Sequence, residues 1–557
     1  MEALGDITDA PLWILATLAG VLVFAASAIA YGFHPIARWR LRKLPGPSPA
    51  WYSGNLPELL SKGSAVVYTE WGQKYGKVYK YFSGAQPVVV INDAEMARLV
   101  SLRLSTRHEF RGPGSLFTGK EAEFNKVGLF STNNKDFHRS MKSAWLPVFN
   151  SASLEISSKE MNIGANRMAA ILTNKAKEQG ELNIWRQFGH LTMDVVGSAA
   201  FGVELRTQDA ERGLNSEEAE KLVWAAQTIF ATGSEKASIY TYPGAVLPIL
   251  NPLMRLLAYY FPDDGIKRAI NARNILRSTV SKLTKESRRQ QEAGVSKALA
   301  APAVNIEAHA TDARKKARGV QPGSFLSLMI SSKHQDGRGV SDDEATSQAF
   351  TFLLAGYETT ASALAFTVYC LSKCPEKMEK LLQEVDNLGG SDREVGPADL
   401  ARMPYLEACL KEAMRLYPPG VFTMRQPQTE DFTVKGYTIP KGTWIHMPIF
   451  TLQRSEEYYG KPQEFIPERW IEGSPEEAAL NKKVPGSWMA FGEGTRVCVG
   501  QRFALQEAKI TLARLYQRFT FRLSPGQEDE AGLQLQSFFT LGPKEGIFVT
   551  PVLRTEE

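Results

Sequence analysis

Near the end of the chain, FGEGTRVCVG (Phe491 to Gly500) encloses one cysteine among three glycines and an arginine. A thiolate is a soft, electron-rich donor, and backbone amides or a helix start that point at it lower its pKa. The following VGQRFALQEAKITLARLYQRF is amphipathic and helix-forming, so Cys498 falls in the turn that feeds that helix. Gly494 permits backbone angles other residues avoid, and Gly500 permits close approach of a flat macrocycle to the helix start. Arg496 adds a fixed positive charge that can reach a carboxylate on the same group, and Phe491 can cover the sulfur from water. The set suits a thiolate bound to haem iron. A cysteine alone near a turn reads as a small buried hydrophobe, and only the surrounding glycines and arginine turn the reading toward a ligand.

A second chemical group lies in FTFLLAGYETTASALAFTVYCLSK (Phe350 to Lys373), which carries Glu358, Thr359 and Thr360 near its middle. The run is long enough to span a bilayer, but a carboxylate in lipid costs several kcal/mol. The favoured reading is a long helix through a soluble core, capped by Ser341 or Asp342, with Asp343 and Glu344 in its first turn. Gly356 and the two threonine hydroxyls are expected to loosen its hydrogen-bond ladder locally.

The elements around these groups are mostly helical. Apolar residues recur at three- and four-residue spacing over Ser151 to Gln179, Leu191 to Gly202, Glu217 to Phe230, Ile266 to Gln290, Pro375 to Leu388 and Met403 to Leu416. Two short strands with a turn at Ser83 to Pro87, and a second strand pair around Pro440 to Gly442, are expected. Residues 294–323 are rich in alanine and lysine and read as a mobile surface insertion.

Composition limits the function classes. The chain has 557 residues, 43% hydrophobic, with a formal net charge of +5, so nothing points to nucleic acid. Four cysteines (370, 374, 409 and 498) are too few for a disulfide scaffold and fit a reducing compartment. Cys370 and Cys374 lack the partners of a zinc site and read as buried hydrophobes. At the N-terminus, Leu12 to Tyr31 is about 20 apolar residues, enough for a transmembrane helix. Glu2, Asp6 and Asp9 precede it where a signal peptide carries positive charge, and Arg38, Arg40, Arg42 and Lys43 follow it, which places the remainder in the cytosol. The expected organisation is a luminal tip and anchor (1–37), a basic, proline-rich linker (38–50) and one large domain (51–557).

The pattern formed by Phe491, Gly494, Arg496, Cys498 and Gly500 resembles the haem-binding loop of the cytochrome P450 superfamily. Other matches follow in the family's order. Ala355-Gly356-Tyr357-Glu358-Thr359-Thr360 looks like its oxygen-activation segment, and Glu412 and Arg415, leading into LYPPGVFTMR, resemble its Glu-x-x-Arg helix. Pro467-Glu468-Arg469-Trp470 is similar to the segment whose arginine completes a Glu412–Arg415–Arg469 network, a structural role. Two other Glu-x-x-Arg matches, at Glu95 and Glu286, read as solvated helical pairs. The chain departs from the pattern where many members have a Trp and an Arg four residues on, since His138 and Lys142 stand there, and Gln453 precedes Arg454 where a His is common.

The resemblance implies a mainly α fold with small β-sheets (α+β), the haem-thiolate fold, preceded by one transmembrane helix. It implies heme b with Cys498 as axial thiolate and metal ligand, Arg425, Arg496, His138 and Lys142 as propionate partners, Ala355 and Gly356 beside the ring, and Glu358 and Thr359 as the catalytic proton relay. By the same analogy, substrate touches residues 112–126, Phe352 and Leu353, Val421 to Thr423 and Phe538 to Phe539. The implied activity is insertion of one oxygen atom from O2 into a lipophilic small molecule. No GxGxxG, flavin signature or iron–sulfur cysteine cluster occurs, so electrons come from a separate NADPH-cytochrome P450 reductase, with cytochrome b5 as a candidate second donor, on the endoplasmic reticulum membrane. Two alternatives stay open: a haem-thiolate isomerase or dehydratase acting on a peroxide, and a non-catalytic haem-binding sensor. Within the superfamily the chain is similar to the branch holding drug-oxidising enzymes, thromboxane synthase and plant carlactone oxidase.

Overall fold

A helix of 32 residues, Asp342–Lys373, organises the molecule. Ser341 starts it through a capping box: its hydroxyl accepts from the Glu344 amide while the Glu344 carboxylate accepts from the Ser341 amide at 2.8 Å. Three acidic residues in its first turn and Lys373 in its last complement the helix dipole. At 1.5 Å per residue it extends about 48 Å, longer than a small domain is wide, so its middle is enclosed whichever elements pack around it. The helices Ile184–Val196, Asp264–Glu292, Pro404–Leu416 and Gln501–Tyr516 do so. These coordinates are a computed structural model that describes residues 12–27, 35–51, 53–107, 124, 126–212, 217–231, 238–247, 250–292, 324–390, 393–527, 533–537 and 540–554.

The expected helices form, with shifted ends. Ser151–Lys177, Glu217–Ala231, Asp264–Glu292 and Pro375–Asp386 lie within a few residues of their sequence bounds. The helix expected from Leu191 starts earlier, at Ile184, where the Asn183 side chain accepts from the Arg186 amide. It ends in a π-helical turn, Gly197–Phe201, closed by Gly202 at φ 67°. A cap that lies eight residues upstream of the apolar run is easily overlooked by periodicity alone.

The first strand pair is as expected: Val78–Ser83 and Gln86–Ile91 form an antiparallel hairpin. The second pairing is not. Tyr437–Ile439 pairs with Phe432–Val434, while Trp444–Met447 runs parallel to Gln86–Ile91 and antiparallel to Thr423–Arg425. All four residues of Trp444–Met447 are buried, which suits an interior strand and not one arm of a solvent-facing hairpin. The resulting sheet holds the segments from 78, 86, 444 and 423 in that order, so Arg425 is carried on an edge strand.

The N-terminal apolar run is helical over Leu12–Ser27, 16 residues, and Leu18, Val21, Leu22, Val23 and Phe24 are all exposed. Among the described residues no helix is long and apolar enough to cross a membrane; the remainder of the expected span lies outside the described residues. The basic, proline-rich segment packs on the domain: Leu41 is buried, the Pro45 carbonyl accepts from the Lys80 amide, and Arg40 pairs with Asp431. The expected insertion at 294–323 and Phe538 to Phe539 lie outside the described residues, as does 112–126 apart from Phe124 and Lys126.

Candidate active site

Cys498 ends a loop that folds back on itself, its amide donating to the Phe491 carbonyl at 2.9 Å. The helix Gln501–Tyr516 begins three residues later. The thiol keeps accessible surface, yet burial is what chiefly pushes its pKa up, against the Gly500 amide, Arg107 and Lys142. Gly494 sits at φ 73°, and a Cβ there would fall 2.1 Å from the Ser101 carbonyl oxygen, so this glycine is required by the helix Ala94–Arg103. At Gly500 a Cβ would meet only Phe149, at 3.9 Å.

The central helix reaches this loop through an aromatic cluster. Phe352 lies 5.9 Å from both Phe149, the ring nearest Gly500, and Phe503, and also contacts Trp145 and Phe325. Phe352, Ala355, Gly356 and Thr359 share one helix face by their spacing. Ala355 is exposed although the helix around it is enclosed. Phe352 is half-buried among these rings, and Leu353 is buried.

The helix is unbroken through Gly356, contrary to the loosened ladder expected there. Its missing side chain serves another purpose, since a Cβ would approach Val196 Cγ2 to 2.7 Å. Thr359 Oγ1 donates to the Ala355 carbonyl at 2.6 Å. Glu358, one residue earlier and therefore about 100° around the helix, faces Arg186. Burial raises its carboxyl to about 7, with Arg186 opposing the rise.

At the other side of Cys498 lies a cluster of cations. Arg496 donates to the carbonyls of Ser105, Leu129 and Thr132 at 2.7, 3.2 and 2.7 Å. Arg425 donates to the carbonyls of Leu104, Met424 and Glu493. Lys142 reaches the Thr495 carbonyl at 3.3 Å. Arg107, which no sequence motif flagged, joins them through the Arg496 carbonyl, and its Nε is buried with no hydrogen-bond partner. Burial, then mutual repulsion, lowers Arg425 and Arg496 to about 9, and burial lowers Arg107 to about 10 with the Cys498 sulfur opposing. His138 is buried and pushed down to about 3, first by burial and then by Arg496 and Arg107, so it is neutral at physiological pH. Among the described residues, none of the three arginines hydrogen-bonds a carboxylate.

Buried like charges without counterions are costly, and they identify a place for an anion. A flat, doubly anionic macrocycle would find donors for its carboxylates in Arg107, Arg425 and Arg496 and a sulfur ligand for its metal in Cys498. The family profile described as Cytochrome P450 matches residues 44–549. The chain belongs to the cytochrome P450 family. Similar relatives include cytochrome P450 3A14 of Cavia porcellus, 28% identical over 98% of this chain and 97% of its own, and cytochrome P450 3A13 of Mus musculus, 27% identical over the same shares. A putative cytochrome P450, cyp-13B1 of Caenorhabditis elegans, is 29% identical over 94% of this chain and 97% of its own. The protein is accordingly a P450 oxidoreductase that uses haem with a cysteine thiolate ligand.

The family's structural network is assembled here in full. Glu412, Arg415 and Arg469 are each 0% exposed. Arg415 grips both Glu412 oxygens at 2.8 and 2.9 Å, and Arg469 Nε and Trp470 Nε1 each donate at 2.9 Å. Burial alone would raise the Glu412 carboxyl; Arg415 and Arg469 hold it below the usual range. Gln453, the departure from the His-Arg pair, proves to be a brace. Its Nε2 donates to the Met414 and Arg415 carbonyls and its Oε1 accepts from the Met489 amide at 2.8 Å, so it ties the Glu412 helix to the approach of the cysteine loop.

Proposed function

We propose that Cys498 is the axial thiolate of heme b and that the protein inserts one atom of O2 into a lipophilic small molecule. The observation that carries this is the cluster of Arg107, Arg425 and Arg496 around the cysteine loop, none of which hydrogen-bonds a carboxylate among the described residues. Bound there, haem supplies dioxygen activation. The chain's residues do the rest: Arg107, Arg425, Arg496 and Lys142 bind the propionates, and neutral His138 contributes bulk without adding to the repulsion. Ala355, Gly356 and Thr359 give a smooth wall on the distal side. With a carboxyl near 7, Glu358 can release and recover a proton at working pH, and the Thr359 hydroxyl can switch from its Ala355 bond to orient that proton.

Electrons are supplied by NADPH-cytochrome P450 reductase, with cytochrome b5 as second donor, since the sequence carries no flavin or iron–sulfur signature. The exposed apolar helix Leu12–Ser27, followed by Arg38, Arg40, Arg42 and Lys43, supports anchoring in the endoplasmic reticulum membrane with the domain on the cytosolic side. The test is to add carbon monoxide to the reduced holoprotein. A red-shifted Soret band that disappears in Cys498→Ala is expected; a band that persists in that variant refutes the assignment. Oxygen-dependent product formation with reductase and NADPH then separates the monooxygenase from peroxide rearrangement.

A further inference from the structure

The sheet that carries Arg425 also holds a buried hydrogen-bonded group that neither haem binding nor the proton relay uses. His446 lies opposite Met424 in the strand register, one residue from Arg425, and Phe422 stacks on its ring at 4.5 Å. Tyr68 OH is 2.7 Å from His446 Nδ1 and 2.9 Å from Tyr81 OH, and Tyr81 OH is 3.2 Å from the same nitrogen. Tyr68 is 1% exposed, Tyr81 2% and His446 4%. From Tyr81 the rings continue outward: Trp71 at 5.2 Å, then Tyr79 at 6.4 Å, then half-buried Tyr75 at 6.3 Å, with the exposed Lys74 above it.

Packing alone explains aromatic residues beneath a sheet, and hydrogen bonding alone explains a buried histidine. Neither requires that the rings be the oxidisable types from one end of the path to the other, nor that a phenol face an imidazole nitrogen able to take its proton. Loss of an electron from a buried phenol is opposed chiefly by the charge left behind, because the resulting cation must shed its proton with no water at hand. His446 Nδ1 at 2.7 Å, in the tautomer that carries its proton on Nε2, removes that obstacle.

We propose that Tyr68 and His446 form a redox-active pair that drains oxidising equivalents from the haem site to the surface when oxygen is activated without a well-placed substrate. Tyr68 gives one electron to the oxidant generated at the haem and its phenolic proton to His446 Nδ1, leaving a neutral tyrosyl radical and an imidazolium. The radical is refilled by an electron passed inward from Tyr81, Trp71, Tyr79 and Tyr75, the last taking it from a soluble reductant such as a thiol. His446 then returns the proton. Trp71 and Tyr79 extend the route, so the oxidation ends at a residue that can be repaired and not at the porphyrin.

The proposal rests on haem at Cys498, and loss of the carbon monoxide band would show separately that this foundation had failed. The ferric holoprotein, without substrate, is mixed with a peracid, freeze-quenched, and examined by electron paramagnetic resonance with and without ring-deuterated tyrosine. A radical narrowed by deuteration and lost in Tyr68→Phe is expected, together with faster bleaching of the Soret band in that variant. The phenylalanine keeps the ring contacts, and an unchanged carbon monoxide band verifies its fold. A second variant, His446→Gln, keeps a hydrogen-bond acceptor but is a poor base, and should also lose the radical. Absence of any tyrosyl radical in the parent, or an undiminished one in Tyr68→Phe, overturns the proposal.

Discussion

Replacing Glu412 by Gln is nearly isosteric and tests whether the buried charge, and not shape, holds the cysteine side of the molecule together. Glu412 accepts five hydrogen bonds: two from Arg415, one each from Arg469 and Trp470, and one from the Ile466 amide. A carboxamide can place its oxygen at Oε1 and keep the bonds from Arg415 Nη2, Arg469 and Ile466, but its NH2 group then confronts Arg415 Nε and the Trp470 indole N–H, donor against donor. Both guanidinium groups also lose their counter-charge in a fully buried site. Removing one partner of a buried ion pair costs about 3–5 kcal/mol. A domain stabilised by roughly 5–15 kcal/mol therefore loses a large part of its margin. Urea unfolding followed by the haem–carbon monoxide band and by far-ultraviolet circular dichroism should show a lower midpoint by both probes at pH 7. The sign of the pH dependence adds a control. Because the folded carboxyl lies below its unfolded value, its contribution is present above the unfolded carboxylate pKa, near 4.3, and is lost only as pH falls through the folded value. The difference between parent and variant should hold from pH 8 down to about 5 and shrink only under stronger acid. An unchanged midpoint at pH 7 would refute the claim that this network carries stability.

Three further outcomes follow from the same geometry. Glu358, raised to about 7, destabilises the fold as pH rises from the unfolded carboxylate value through 7, so Glu358→Gln should be more stable than the parent at pH 8 and equal to it at pH 5; its turnover should also lose any inflection near neutrality, as a pH–rate profile would show. Arg496→Leu removes one of the crowded cations but also leaves the carbonyls of Ser105, Leu129 and Thr132 without their donor, so the haem-free protein should lose thermal stability and the holoprotein should surrender haem faster to apomyoglobin, both changes being read in one preparation. Gln453→Ala leaves the Met489 amide and two carbonyls of the Glu412 helix unpaired, at a cost of about 1–3 kcal/mol for each group left buried, and thermal unfolding with the Soret band as probe should register it.

The covalent order of the residues was enough to single out the groups proposed to bear chemistry. Cys498 with its glycines, the Glu358–Thr359 pair and the Glu412–Arg415 pair are local patterns, and a short-range pattern survives in the sequence because one turn of backbone fixes its geometry, whereas Arg469 joins Glu412 from 57 residues away and came only with the resemblance. The central helix was legible for the same reason: its cap and its apolar run are contiguous. What sequence left open depended on separations of hundreds of residues. Arg107 belongs to no motif, and it enters the cation cluster only because the chain after the helix Ala94–Arg103 is pinned to the loop carrying Arg496. The strand Trp444–Met447 found its partners at Gln86–Ile91 and Thr423–Arg425, and the nearby turn at Pro440 to Gly442 gave no hint of either. Gly494 was read as supplying a backbone angle other residues avoid, and it sits at φ 73°; that Val196 and the Ser101 carbonyl leave no room for a side chain at Gly356 and Gly494 is decided by packing alone. Backbone propensity and spacing act within a few residues; close packing and the burial of charge act between whatever surfaces the folded chain brings together.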